Sequence, residues 1–257
     1  MRVPHLPHLG CQVTSAESCE RPGGGAVGTA GWAALLGARV GVVAPADGAD
    51  GVRIRSAVER TGILAAWLPG ETVRCLILLT PDGERTMINQ QPVPVPGVLT
   101  GDAGALLGEA AVLWSDWRDE ETAAAVHRAM PGGLRATALR RFRRELAAGR
   151  DHEIVIGTGA DGFLPTDAEL GACGCMFCVI TDGPSGGSYW TSRSGWSRFD
   201  ASPLPSGFVD TCGAGDAFNA GVLVALSRGG SAEEAVRLGA DTAARACCQA
   251  GTFPLTQ

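Results

Sequence analysis

Stretches with apolar residues at helical spacing alternate along this chain with short runs rich in Val and Ile. The spacing predicts a helix over Ala26 to Gly37 (AVGTAGWAALLG), then a buried strand, ARVGVVA, and an exposed helix, GVRIRSAVERTG, ending at Gly62. Thr72 to Thr80 (TVRCLILLT), the turn PDGE and the run RTMINQ read as a hairpin. Gln91 to Gly97 (QPVPVPG) reads as an extended connector, because proline at every second residue excludes helix and central strand. AAVLWS follows as a strand, DEETAAAVHRAM and ALRRFRRELAAG as helices, and HEIVIG and MFCVITDG as strands. Two more helices come last, GAGDAFNAGVLVALSRG and SAEEAVRLGADTAARACCQAG; the second carries the capping box Ser231–Glu234 and stops at Gly251.

Strands alternating with helices imply an α/β fold: a mainly parallel sheet in a three-layer arrangement with helices on both faces. The early hairpin does not fit that scheme and reads as a small β appendage on one edge.

Composition narrows the picture only a little. With 257 residues, 45% hydrophobic and 19% charged, the chain suits one large domain of ordinary globular type. A net charge of −6 argues against a nucleic-acid surface. No apolar run reaches membrane-spanning length, and MRVPHLPHLG lacks the apolar core of a signal peptide. Nine cysteines, an odd number, fit reduced thiols in a cytoplasm better than a disulfide framework.

Candidate chemistry centres on VDTCGAGDAFNAG, Val209 to Gly221, where Asp216 follows two glycines at a helix start. In open α/β sheets ligands collect at the carboxyl ends of strands, where helix N-termini point. Small residues at Gly213, Ala214 and Gly215 let backbone N–H groups approach an oxyanion. A carboxylate there repels a resting phosphate, yet it can take a proton from an attacking hydroxyl while the N–H groups neutralise charge growing on a phosphoryl group. The plainer reading is an acid in a helix first turn, worth about 0.3–1 kcal/mol. From the chemistry alone both readings stand.

DTCGAGDAFNAG resembles the C-terminal signature D-T-x-G-A-G-D-x-F of the ribokinase-like (PfkB) carbohydrate kinases. The likeness continues from Asp210 to Gly251. Val179 to Gly187 (VITDGPSGG) is similar to the family's V-T-x-G-x-x-G strand and turn, the block from PGGG to DGADG to its N-terminal block, and PDGERT to its lid hairpin. The resemblance implies a single ribokinase-like domain over residues 1–257, with lid segments around 5–20 and 71–92. It implies ATP-dependent phosphorylation of a hydroxyl on a sugar, nucleoside or related polyol. Asp216 is then the general base, Gly213, Ala214 and Gly215 the anion hole, and Thr181, Gly183 and Gly186 hold ATP. Gly24, Gly25 and Gly28 fall at the acceptor site. Mg²⁺ falls to Thr158 and Asp161, and a monovalent cation such as K⁺ to Asp210. A cytoplasmic enzyme, acting on a small molecule without nucleic acid or membrane and pairing as a homodimer through the β lid, completes the expectation.

Three departures qualify it. The family's G-G-N-A-x-N stretch is here GGGAVG, without either asparagine. Where N-x-x-E is expected after EIVI, the chain has GTGAD, so Thr158 and Asp161 stand in; Mg²⁺ accepts hydrated sites with one carboxylate. The family's first strand and its acceptor aspartate have no counterpart before Gly23, so the expectation is either a sheet that has lost a strand, with unpaired edges inside it, or a chain that begins too late. A degenerate relative that binds without turnover is therefore the alternative.

Other motifs carry weaker readings. GGGAVG (Gly23 to Gly28) and GTGADG (Gly157 to Gly162) both fit a dinucleotide fingerprint; the first lacks a preceding strand, and Pro165 follows the second where a helix is needed. Cys173, Cys175 and Cys178 invite a zinc site but lack a second ligand pair, and MFCVI reads as a buried strand. Cys247 and Cys248 are expected to pack in a buried helix. Arg140, Arg141, Arg143 and Arg144 alternate with Leu139, Phe142 and Leu146, which predicts a solvated helix face rather than a phosphate clamp. His5, His8, His127 and His152 show no metal spacing and are expected at the surface. Trp67, Trp114 and Trp117 suit an acceptor pocket or a core edge equally.

Overall fold

The computed structural model describes residues 1–83, 85–90, 99, 101–117, 119–130 and 132–254. In chain order the elements are α1 (Gly25–Leu35), β1 (Gly41–Asp47), α2 (Gly48–Glu59), β2 (Leu64–Glu71), β3 (Cys75–Leu79), β4 (Arg85–Asn89), α3 (Asp102–Gly108), β5 (Val112–Ser115) and α4 (Glu120–Ala129). There follow β6 (Leu134–Ala138), α5 (Leu139–Ala147), β7 (Ile154–Thr158), α6 (Asp167–Ala172), β8 (Phe177–Thr181), β9 (Gly187–Thr191), β10 (Gly195–Phe199), α7 (Ala214–Ser227) and α8 (Ala232–Ala246). The proline-rich connector lies outside the described residues.

The main sheet has the order β10-β9-β8-β7-β6-β5. Strands β5 to β8 run parallel, and β9 and β10 are antiparallel additions. Side chains on successive strand positions face opposite ways, and the core divides accordingly. Ile154, Ile156, Phe177 and Val179 pack with Phe218, Val222, Val236 and Ala240 of α7 and α8. Val155 and Cys178, from the same strands, pack with Leu139, Phe142 and Leu170 of α5 and α6. Burying each large apolar side chain contributes about 1.5–3 kcal/mol. The result is the three-layer α/β arrangement, with helices on both faces.

Two small sheets stand apart. Strands β1 and β2 form a parallel pair, and β3 and β4 an antiparallel hairpin. The hairpin is extended by the amino terminus: Val3 N–H donates to Leu79 O (2.9 Å), and Arg2 pairs with Glu17. Among the described residues β5 pairs with β6 alone and β1 with β2 alone, and both strands border one large cleft. The parallel sheet is interrupted there.

Several sequence expectations need correction. Strands β2, β6, β9 and β10 and helices α3 and α6 are additions to the pattern read from periodicity. Pro165 does not exclude a helix beyond it. It precedes the cap of α6, Thr166, whose hydroxyl accepts from Glu169 N–H (3.2 Å) while the Glu169 carboxylate accepts from Thr166 N–H (2.8 Å). Helix α8 ends at Ala246 rather than running on toward Gly251, so Cys247 and Cys248 sit half-buried just past it. His152 is buried rather than exposed, beside Glu145, because α5 and the loop before β7 close over it. The arginines of α5 form a face that is only partly solvated, with Arg140 and Arg143 exposed and Arg141 and Arg144 half-buried, and each is paired with a carboxylate: Arg140 and Arg141 with Asp116, Arg143 with Glu169, and Arg144 with Glu120 and Glu145.

Candidate functional site

A cleft of about 3710 Å³ runs from the carboxyl ends of the strands, between β1 and β5, to their amino ends. Its floor is the start of α7. Asp210, buried, accepts from Cys212 N–H (2.7 Å), and Ala214 N–H donates to Thr211 O (3.3 Å), which turns the chain into the helix. Gly213 holds that turn at φ 80°, and a Cβ there would lie 2.5 Å from Thr252 Cα, so both conformation and space demand glycine. Ala217 N–H bonds back to Gly213 O (2.8 Å), which leaves the first-turn N–H groups without an intrahelical acceptor, at the mouth of the cleft.

Asp216 is half-buried in this first turn. Burial pushes its pKa up to about 7; Arg85 and Arg140 pull it down, and Asp116 pushes it further up. Helix α1 lies against the carboxylate. A Cβ at Gly28 would be 2.6 Å from Asp216 Oδ2, and one at Gly25 3.5 Å from Oδ1. Gly24 and Gly25 line the cleft, whereas Gly28 supports Asp216 from behind. The absent asparagines are thus replaced by bare backbone next to the acid.

The opposite side of the cleft is built by β7 and β8, whose ends pair Thr158 with Thr181. Thr181 Oγ1 donates to Gly157 O (3.2 Å), so this hydroxyl ties the strand ends together. Gly183 (φ 52°) and Gly186 (φ 79°) form the turn beyond, and a Cβ at Gly186 would clash with Phe199 O. Asp161 Oδ2 accepts from Thr158 N–H (3.1 Å), and the two residues form a capping box around one turn of 3₁₀ helix. All of these candidate residues except Gly28 border the same cleft.

A hairpin residue reaches in from above. Arg85 of β4 donates to Thr211 O and to Thr211 Oγ1 (2.9 Å), and a Cβ at Gly83 would clash with the Phe208 ring. Arg85, Asp116 and Arg140 border the cleft with Asp216, and sequence reasoning assigns none of the three to the site. For Arg140 a signal exists: the first turn of α5 holds arginine and no acid, the unfavourable sign for a helix N-terminus. Trp67, Trp114 and Trp117 line the cleft as well.

Metal readings elsewhere find little support. Among the described residues no group of three or more His, Cys, Asp or Glu is placed to hold a metal ion. Cys173, Cys175 and Cys178 are buried thiols within the apolar layer under α5 and α6. Among the described residues, no helix is long and apolar enough to cross a membrane.

Residues 145–256 match the model of the pfkB family carbohydrate kinases. The chain is similar to a cytidine kinase of Thermococcus kodakarensis, 33% identical over 115 residues, 44% of this chain. That match spans 41% of the relative's length. Among solved structures, adenosine kinase from Sinorhizobium meliloti superposes with TM-score 0.76 at 25% identity, covering 91% of this chain and 80% of that one. Arabidopsis thaliana ribokinase complexed with ribose and ATP has TM-score 0.75 at 19% identity, covering 98% and 91%.

Proposed function

We propose that this chain, whose residues 145–256 match the pfkB family of carbohydrate kinases, transfers the γ-phosphoryl group of ATP to a hydroxyl of a sugar, nucleoside or related small polyol. The observation that carries this reading is Asp216: a half-buried carboxylate with a pKa raised to about 7, in a glycine-walled corner at a helix N-terminus. A base of that strength is well matched to a hydroxyl proton near neutral pH.

In this account Asp216 takes the proton of the acceptor hydroxyl. The backbone N–H groups of Gly213, Ala214 and Gly215 face the charge that develops on the phosphoryl oxygens. Ala214 already donates to Thr211 O, so Gly213 and Gly215 carry more of that role. The turn containing Thr181, Gly183 and Gly186 is bare enough for phosphates to lie on its backbone, and ATP fits there. Gly24 and Gly25 border the acceptor position, with Gly28 behind the base.

Asp161 and Thr158 fit Mg²⁺ held through water: one carboxylate and one hydroxyl stand at the strand ends, with Asp161 already oriented by the Thr158 N–H. Bound with the nucleotide, Mg²⁺ supplies charge neutralisation on the phosphates. Asp210, buried next to the anion-hole turn, is the carboxylate that fits a monovalent cation such as K⁺. Leu76 and Ile88, paired across the hairpin on one of its faces, are exposed apolar side chains, which supports a homodimer through the lid. The test is ADP release with a panel of sugars, nucleosides and polyols. Acceptor-dependent release supports the reading; ATP binding without turnover on any acceptor would mark a degenerate relative.

A further inference from the structure

We propose that Arg140 is a catalytic residue of this site: presented by Asp116, its guanidinium meets the phosphoryl group in transit between nucleotide and acceptor. The proposal rests on the phosphotransferase reading and adds a group which that reading does not contain.

Three observations carry it. Helix α5 starts with Leu139 directly after β6, so Arg140 and Arg141 occupy its first turn, where a cation opposes the helix dipole and no acid is present. The compensating charge comes from Asp116, just beyond β5. Its Oδ2 accepts from Arg140, and its Oδ1 accepts from Arg141 Nε (3.1 Å). Arg141 is largely buried, whereas Arg140 is half-exposed and borders the cleft together with Asp116. Two guanidinium groups on one carboxylate leave a net positive charge, and Arg140 presents it to the cleft.

The second observation is strand order. Strands β5, β6, β7 and β8 are neighbours, and their carboxyl ends carry Asp116, Arg140, the Thr158–Asp161 turn and the Thr181–Gly186 turn in that sequence. The nucleotide side is built on β7 and β8. The acceptor side is built by α1, which lies against Asp216 and packs on β1. The end of β6 stands between the two. Third, the charges of Arg140 and Asp116 both reach Asp216, with opposite sign. The other nearby cation, Arg85, is tied to the carbonyl and hydroxyl of Thr211 on the hairpin side.

In the step itself the acceptor oxygen forms a bond to the γ-phosphorus. The bond from that phosphorus to the bridging oxygen breaks, ADP leaves with the electron pair, and the hydroxyl proton passes to Asp216. Arg140 forms and breaks no covalent bond; it neutralises the oxygens of the moving group.

The experiment compares Arg140→Gln, Arg140→Lys and Asp116→Asn with Arg143→Gln, a control on the same helix that stacks on Phe163 and pairs with Glu169. Arg140→Gln is expected to lower kcat by roughly 10²–10³-fold while KM for ATP stays within about threefold, and Arg140→Lys to recover part of the rate. Binding of ADP with aluminium fluoride, a mimic of the phosphoryl group in transit, needs no turnover. Arg140→Gln is expected to weaken it by at least about tenfold while leaving ADP alone unaffected. A ¹³C titration of the Asp216 carboxyl should move up in Arg140→Gln and down in Asp116→Asn, a readout that a merely structural role would not move. Equal aluminium fluoride affinities, or an Asp216 titration unmoved by Arg140→Gln, overturn the proposal. Absence of turnover in the wild-type protein overturns the kinase reading alone, because the binding and titration arms still decide the place of Arg140.

Discussion

Replacing Asp216 with Asn should push activity and stability in opposite directions. The carboxyl is raised from 3.8 to about 7 because burial penalises its charged form. At about 1.36 kcal/mol per unit, a shift of some three units is worth up to ~4 kcal/mol; the cleft leaves Asp216 partly solvated, which reduces this to roughly 1–3 kcal/mol. A group whose folded pKa lies above its unfolded value costs nothing below the unfolded pKa. The cost grows as pH rises and is complete above the folded pKa. The advantage of Asn should therefore be absent near pH 4, grow toward pH 7 and stay constant above it. For a domain of this size, thermal melts at pH 8.5 should place Asp216→Asn about 2–8 °C above the wild type. The same variant should lose about 10²- to 10⁴-fold in kcat with ATP affinity kept. Turnover near that of the wild type would remove Asp216 from the mechanism. An Asn variant with the same melting advantage at pH 4 as at pH 8.5 would refute its strained ionisation.

Three other predictions follow from distances and pairing. Gly28→Ala places a methyl 2.6 Å from Asp216 Oδ2, so steady-state assays should show kcat reduced by at least about tenfold in a protein that still folds. Asp161→Ala should raise the Mg²⁺ concentration for half-maximal rate; an unchanged Mg²⁺ titration would leave Thr158 and Asp161 as a capping box only. At the interruption between β1 and β5, amides not bonded to β2 or β6 should exchange with solvent much faster than those of β7 and β8, and hydrogen exchange read by NMR would contradict the open edge if all were equally protected.

The sequence shows the site more plainly than it shows the sheet. The turn before Asp216 is legible because its constraints are local: Gly213 must adopt positive φ, and successive small residues must leave N–H groups open. Strand β6 is hidden because LRATA is short, contains Arg135 and runs without a break into the helical pattern of α5; pairing with β5 and β7 makes it a strand. The β9–β10 hairpin escapes notice because its polar residues suit a strand half-covered on one face, and the periodicity of GSYWT and GWSRF is brief. Arg140 is exposed as helical spacing predicts, but spacing assigns a face and not what lies opposite; Asp116, 24 residues earlier, holds it at the cleft. His152 misleads for the same reason, since the Glu145 that it meets lies on the preceding helix.

The most direct measurement follows the γ-phosphate itself. ATP labelled at that position is incubated with Mg²⁺ and the panel of sugars, nucleosides and polyols, and the label is traced to its product, for wild type and Asp216→Asn. Label is expected in an organic phosphate ester with wild type and almost none with Asp216→Asn. Label confined to ATP and inorganic phosphate, or equal transfer by both proteins, would contradict a phosphotransferase that works through Asp216.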